Sequence, residues 1–126
     1  MAQKNKARNS NPDSFVRYGK QIMKTDCNVT LSRKFRSFFG VSPLVCSIAF
    51  NKISEDDDFP EQSKPYHFLW ALMFLKIYST ESILAGIAGC TEKTFRKWSW
   101  KMLDLLQRLE LDLVCSLCKM MFYDIN

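Results

Sequence analysis

Basic side chains repeat along one side of residues 92–101, EKTFRKWSWK, and they are the residues of this sequence best suited to chemistry. On a helical wheel of about 100° per residue, the cations that lie within about 80° of Lys93 are Arg96, Lys97, Lys101 and Arg108. Arginine can bond a guanine edge at two points, lysine can reach the same acceptors, and both contact phosphates. These residues predict a helix that contacts double-stranded DNA, although a solvated basic helix with no ligand remains an alternative.

The opposite side of the same segment is apolar and predicts a buried face. Between about 120° and 220° from Lys93 on the wheel lie Phe95, Trp98, Met102, Leu105, Leu106 and Leu109. In a DNA-recognition helix the N-terminal half is turned towards the bases. We therefore assign base contacts to Lys93, Thr94, Arg96 and Lys97, and phosphate contacts to Thr91, Lys101 and Arg108. Trp100 lies inside the basic face, where it either packs on a neighbouring segment or contacts DNA.

A preceding helix is expected to hold this one across a tight turn. In residues 80–101, TESILAGIAGCTEKTFRKWSWK, Thr80 and Thr91 can cap two helices and Gly89 can end the first of them. A helix-turn-helix unit needs a small residue where the helices cross, a glycine in the turn and an apolar residue that packs back. Ala85, Gly89 and Phe95 meet these requirements, with further apolar contacts from Leu84, Ile87 and Trp98. The spacing predicts a helix-turn-helix.

The other periodic segments predict a small all-α bundle of about five helices around this unit. The expected helices cover residues 33–39, 43–53, 66–79, 81–88 and 92–111. Their ends follow from local signals, which are caps at Ser32, Ser42 and Ser63, prolines at Pro43 and Pro65, and a left-handed glycine at Gly40. No segment predicts a strand, so the expected class is all-α.

The two chain ends differ from the middle in composition. Residues 1–29 are polar and basic, and we predict a disordered tail there, either a solvated leader or a basic arm that touches phosphates or carries a nuclear address. Residues 30–113 are predicted to form the helical helix-turn-helix domain. Residues 114–126 are predicted to be an atypical C-terminal tail, apolar enough in part to favour self-association.

Composition limits the classes of partner and compartment. The chain has 126 residues, a net charge of +5 and a pI near 9.0, which fits an anionic partner. It has no secretory signal, and its most apolar run, residues 66–78, is too short and polar to span a bilayer, so we expect no membrane partner. The five cysteines predict free thiols in a reducing compartment, which is the nucleus or, for a prokaryotic chain, the cytoplasm.

Catalytic and metal-binding patterns are weak in this sequence. Cys115 and Cys118 have the spacing of zinc ligands but lack a second pair, so we predict no metal and no cofactor. His67 lies in an apolar segment and is predicted to be packed or partly exposed, and the acidic residues 55–61 are predicted to form a solvated loop. Because no catalytic set stands out, we predict neither an enzyme nor a small-molecule substrate.

Two stretches carry a resemblance to a known family. Residues 34–43, KFRSFFGVSP, and residues 64–98, KPYHFLWALMFLKIYSTESILAGIAGCTEKTFRKW, together with the leucine-rich helix that follows, resemble the N-terminal region of DDE-type transposases. The resemblance is to the Harbinger-type and insertion-sequence-like groups, and it covers roughly residues 33–112. It implies DNA binding at transposon ends during transposition, with Lys93, Arg96 and Lys97 as contacts.

The family's catalytic domain has no counterpart in these 126 residues, and Asp56 to Asp58 match no catalytic position of the family. We therefore expect a transposase-like DNA-binding domain, truncated before the nuclease domain and without nuclease activity. Self-association and pairing with an intact transposase remain open. The alternative function is a helical protein-interaction module that associates through its apolar C-terminal helix around residues 103–113.

Overall fold

The structure is a computed structural model that describes residues 11–25, 31–77 and 79–108. Within these ranges the chain forms helices and no strand, which confirms the predicted all-α class. The helices are α1 Pro12–Met23, α2 Leu31–Phe39, α3 Pro43–Ile53, α4 Pro65–Lys76, α5 Glu81–Ala88 and α6 Glu92–Arg108. The described part thus contains one helix more than the sequence predicted.

The additional helix is α1, and it corrects the prediction of a disordered tail over residues 1–29. Asn11 caps it by accepting a hydrogen bond from the Ser14 N–H at 2.9 Å, and Pro12 occupies its first turn. Its Phe15 is fully buried, with its ring 5.7 Å from that of Phe50. The polar composition concealed a sparse apolar face, because one face needs only an apolar residue at each turn. Residues 1–10 and 26–29 lie outside the described residues.

Gly19 of α1 allows the close approach of α2. A Cβ atom at Gly19 would lie 2.6 Å from Cε2 of Phe35, a distance that real Cβ atoms do not reach. Phe35 and Phe39 are both buried, and their ring centroids are 4.7 Å apart. The aromatic face of α2 therefore packs on a helix that the sequence did not predict. α2 ends at Gly40 with a φ of 87°, as the sequence predicted.

α4 lies at the centre of the fold, in contact with each of the other five helices. Its buried residues are His67, Phe68, Leu69, Trp70, Ala71 and Met73. Phe68 meets Phe15 and Phe50 edge-on, which joins α4 to α1 and α3. None of the six described helices combines the length and apolar character that a bilayer-spanning segment requires.

The acidic loop, residues 54–64, connects α3 to α4 and is fixed at one point in the core. Phe59 is only 3% exposed, and its ring meets that of Phe50 at a centroid distance of 5.5 Å. The bounds of α3 agree with the prediction, and its cap is confirmed, because the Val45 N–H donates to Ser42 Oγ at 3.3 Å. The loop is consequently held close to the bundle between two well-defined helices.

α5 and α6 are joined by three residues with the predicted local chemistry. The Ile83 N–H donates to Thr80 Oγ1 at 3.3 Å at the start of α5. Gly89 ends α5 with a φ of 83°, and the Thr94 N–H donates to Thr91 Oγ1 at 3.2 Å at the start of α6. α6 was predicted to extend to residue 111, and the residues after 108, including the predicted tail 114–126, lie outside the described part.

Candidate nucleic-acid interface

The apolar face of α6 fixes its position against α4 and α5. Phe95, Met102 and Leu105 are buried, as the wheel predicted, while Trp98 and Leu106 are partly buried. The Phe95 ring lies 5.9 Å from that of Trp70 and 6.4 Å from that of Phe74, both on α4. Ser99 is also buried, which the wheel did not predict. Because one side of α6 is fixed in the core, the opposite side must face solvent.

The exposed side of α6 carries the predicted cations. The exposed candidate residues are Thr91, Lys93, Arg96, Lys97 and Lys101. We call the four basic residues among them the basic face. Thr94 differs from the other candidates because it is half-buried, and its Oγ1 accepts a hydrogen bond from the Thr91 hydroxyl at 2.9 Å. The structure therefore gives Thr94 a part in the helix start and leaves the other five candidates exposed, four of them on the basic face.

Trp98 supports two of these cations. The Nζ atoms of Lys97 and Lys101 lie 5.1 Å and 5.2 Å from the centroid of its ring, within the range of cation–π contacts. The same ring stacks on His67 of α4 at a centroid distance of 4.2 Å and an interplanar angle of 2°. The sequence assigned Trp98 only to the core. Its position one residue after Lys97 and three before Lys101 was the available signal for this second contact.

His67 stays uncharged beneath this stack. Its Nδ1 accepts a hydrogen bond from the backbone N–H of Lys64 at 3.0 Å, and the side chain is buried, as the sequence predicted. Burial is the main cause that lowers the pKa of His67 to about 4, and the positive charges of Lys64 and Lys97 contribute. At neutral pH the imidazole therefore adds no charge below the basic face.

Arg96 is tied to the preceding helix. Its Nε donates to Glu81 Oε2 at 2.5 Å, so the first residue of α5 holds a side chain from the second turn of α6. The hydrogen bond and the charge of Glu81 raise the pKa of Arg96, and the charge of Glu92 adds to this effect. The sequence assigned Glu81 only to the positive end of α5. A contact between residues 15 apart had no signal in the local pattern.

Arg108 differs from the cations of the basic face because carboxylates surround it, and its assignment as a phosphate contact stays a prediction. Its Nη1 lies 2.5 Å from an oxygen of Asp58 and 3.3 Å from one of Asp56, and its Nη2 lies 3.3 Å from Asp104. The acidic loop was predicted to be solvated, yet two of its aspartates bind this guanidinium. A group that already faces three carboxylates is poorly suited to bind a phosphate.

Trp100 borders the basic face and is 53% exposed. Its ring lies 5.8 Å from that of Phe74, so one part of it packs on α4, as one of the two predicted alternatives required. Leu75 on the same helix is 52% exposed. This edge of the surface is therefore apolar and open to solvent.

Metal-ligating residues do not converge in the part of the chain that the structure describes: no group of three or more His, Cys, Asp or Glu side chains could hold an ion there. Cys46 and Cys90 are free thiols, and burial raises the pKa of both, that of Cys46 to about 12. Cys115 and Cys118 lie outside the described residues. The described surface that carries the predicted contact cations is the basic face of α6.

Comparisons of this chain with models of protein families, with curated proteins and with solved structures found no match. The transposase family and the DNA-binding role consequently stay predictions from the sequence.

Proposed function

We propose that this chain is a DNA-binding domain of the transposase-like kind, in which α5 and α6 act as a helix-turn-helix and α6 contacts duplex DNA. One observation carries the proposal: the cations of α6 lie together on an exposed face, while the opposite face is fixed in the core. Four cations over the first ten residues of α6 form a compact positive surface. The helix dipole adds positive potential at the same end.

The support that the fold gives to these cations favours binding. Lys97 and Lys101 lie over the Trp98 ring, and Arg96 is held by Glu81, so three of the four side chains are partly ordered before any ligand arrives. Ordering long side chains in advance lowers the entropy that binding must otherwise remove. A surface helix that serves solubility alone has no need of such support.

The proposal is binding without catalysis. The aspartates closest together in the sequence are Asp56, Asp57 and Asp58, and two of these bind Arg108. A carboxylate that neutralises an arginine is not arranged as a ligand for a catalytic metal ion. We propose duplex DNA as the partner, in the nucleus or in a prokaryotic cytoplasm, with an intact transposase as a further partner to test.

The direct test replaces three cations together. The variant Lys93→Ala/Arg96→Ala/Lys97→Ala should bind mixed-sequence duplex DNA at least tenfold more weakly than the parent chain at about 0.15 M salt. The slope of log affinity against log salt should become shallower by about 0.9 for each of the three cations that neutralises a phosphate in the complex. Fluorescence anisotropy over a salt series measures both quantities.

The matched control is the variant Arg33→Ala/Lys34→Ala/Arg36→Ala in α2, which removes three exposed cations and the same total charge. Its affinity for DNA, and the slope of log affinity against log salt, should change much less than those of the α6 variant. Equal losses in the two variants would show that net charge, and not the basic face, governs binding. An unchanged affinity in the α6 variant would refute the proposal.

A second candidate function is protein interaction, and exposed apolar side chains favour it. Leu44 and Ile48 lie one turn apart on α3 and are 58% and 52% exposed, and Trp100 is exposed beside Phe74. The described part of the predicted apolar helix supports it less, because Leu105 is buried in the core. Association through these apolar residues should persist as salt rises, whereas DNA binding should weaken steeply.

A further inference from the structure

We propose that Glu81 is a positioning residue that presents Arg96 to a guanine, so that the preferred DNA site contains a guanine whose recognition depends on both side chains. This inference rests on the proposed function and adds to it a residue outside α6 and a base identity. It follows from the hydrogen bond between the two side chains and from the donors that this bond leaves over.

Glu81 is less exposed than the arginine that it contacts. It is the first residue of α5, where Thr80 caps the helix and the dipole favours an acidic side chain. The Glu81 side chain is 25% exposed and that of Arg96 is 57% exposed. The carboxylate thus lies closer to the bundle, and the guanidinium is the more exposed of the two groups.

The donor geometry of Arg96 suits a guanine. A guanidinium has five N–H donors, and the bond to Glu81 uses the one on Nε. The terminal nitrogens Nη1 and Nη2 remain, and a pair of parallel N–H groups matches the O6 and N7 acceptors of guanine in the major groove. With Nε fixed, the fork is directed before DNA arrives, which reduces the entropy lost on binding.

The other cations near the basic face are less suited to this task. Lys93, Lys97 and Lys101 end in ammonium groups, which act as point charges and match a two-acceptor edge less specifically. Arg108 has a guanidinium, but it faces the carboxylates of Asp56, Asp58 and Asp104. Of the predicted contact residues, Arg96 is therefore the one built for two-point recognition.

A structural clamp is the competing explanation, because the same ion pair joins α5 to α6. The two explanations differ in what they predict for base preference. A clamp would affect stability and would weaken binding to all sequences alike. A positioning residue would affect the preference for one base, while loss of its negative charge would leave binding to unselected DNA unchanged or stronger.

The test uses a duplex DNA library with a randomised central segment, from which bound molecules are separated and sequenced. The full chain is compared with the variants Arg96→Ala, Glu81→Ala, Glu81→Gln and Glu92→Ala. Glu92 is the matched control because it is also the first acidic residue of its helix and influences Arg96 by charge, without the hydrogen bond of Glu81. Circular dichroism and thermal unfolding of each variant establish that it is folded.

The parent chain should prefer guanine at one position by roughly fivefold or more. Arg96→Ala and Glu81→Ala should each reduce this preference to below about twofold. Glu81→Gln should keep most of it, because the amide oxygen still accepts a bond from Nε, and Glu92→Ala should keep all of it.

A Glu81→Ala variant that binds DNA with the parent's guanine preference would overturn the inference and leave the proposed function standing. A guanine preference that survives in Arg96→Ala would also overturn it. A parent chain that shows no salt-dependent binding to the library would overturn the proposed function, and the inference with it. These outcomes are distinguishable in one set of measurements.

Discussion

Trp98 contacts a buried imidazole and two exposed ammonium groups at the same time. Its ring stacks on His67, and the Nζ atoms of Lys97 and Lys101 lie close to it. A charged imidazole at this place would repel both lysines across one aromatic ring. The low pKa of His67, about 4, keeps that charge away at neutral pH. The ionisation of a single residue thus affects both the core and the surface above it.

The folded chain should lose stability in mild acid because of His67. Its folded-state pKa of about 4 lies below its ordinary value of 6.5, so protonation favours the unfolded chain. The stabilisation that the folded chain gains from an uncharged His67 is complete above about pH 6.5 and declines as the pH falls towards 4. The loss by about pH 4.5 should be roughly 2–3 kcal/mol, measured as the free energy of unfolding in urea.

The variant His67→Gln isolates this effect, because glutamine at this helix position can still accept the hydrogen bond from Lys64 and does not titrate. The chain has one histidine, so the difference between the two proteins in this pH range reports His67 alone. Identical pH profiles for parent and variant would contradict the burial of an uncharged imidazole.

At the scale of elements, the turn between α5 and α6 determines where the basic face lies. Gly89 adopts a φ of 83°, which side chains other than glycine rarely adopt, and Thr91 begins α6 two residues later. Phe95 then returns to Trp70 and Phe74 within the first turns of α6. The direction of the whole basic helix therefore depends on one left-handed residue and one buried ring.

Replacement by alanine should change the free energy of unfolding in opposite directions at two glycines in this region. A Cβ atom at Gly86 or at Gly89 meets open space, so neither variant creates a clash. Gly86→Ala in the interior of α5 should stabilise the chain by about 0.5–1 kcal/mol, because alanine restricts the unfolded state more than glycine. Gly89→Ala should destabilise it by about 1–2 kcal/mol, because its φ is strained for an L-residue.

Urea unfolding of both glycine variants checks this expectation, and each variant serves as the other's control. Stabilisation by both would mean that the turn does not require a left-handed residue. A large loss at Gly86 would mean that its surroundings are closed, contrary to the open space found there.

At the scale of the whole molecule, the charges along α6 separate into two regions. The N-terminal ten residues carry the basic face, whereas the end of the helix lies beside the acidic loop through the contacts of Arg108 with Asp56 and Asp58. A DNA backbone that follows the basic face would meet repulsive carboxylates beyond Lys101. In the proposed complex, the loop would limit how far along α6 a phosphate can be bound.

Removal of the two paired aspartates should enlarge the surface that we propose binds DNA. The variant Asp56→Asn/Asp58→Asn removes two of the three carboxylates that Arg108 faces and leaves Asp104. The affinity for mixed-sequence duplex DNA should rise roughly threefold or more at about 0.15 M salt, with up to about one unit added to the salt slope. The control variant Glu55→Gln/Asp57→Asn changes the same charge on the same loop at exposed residues. Anisotropy titrations that give equal gains for both variants would show a general charge effect and no release of Arg108.

Signals that act within about four residues were readable in the sequence. Ser42, Thr80 and Thr91 cap helices as predicted, and Gly40 and Gly89 end them, because each forms or allows hydrogen bonds to its own neighbouring backbone. The caps predicted at Ser32 and Ser63 were wrong, because α2 already begins at Leu31 and Lys64 is the N-cap of α4. The helical periodicity of the sequence predicted the apolar and basic faces of α6. Local chemistry was therefore sufficient to predict the all-α class, most helix bounds and the position of the candidate surface.

Contacts between distant residues were not readable in this way. Glu81 and Arg96 are 15 residues apart, and Arg108 and Asp58 are 50 apart, so no short pattern could pair them. α1 was missed for a related reason, since its apolar residues have meaning only once α2, α3 and α4 are in place to cover them. These contacts decide which of the predicted cations are free to bind a ligand.

The close fit of the Phe35 ring on Gly19 has a practical consequence for anyone who expresses a shortened chain. A fragment started at residue 30, where the sequence places the domain boundary, would lose α1 and leave the rings of Phe35 and Phe68 partly uncovered. Such a fragment would be expected to aggregate, and its failure in a DNA-binding assay would then reflect lost solubility. Shortened versions should therefore begin at or before Asn11, so that the first helix retains its cap.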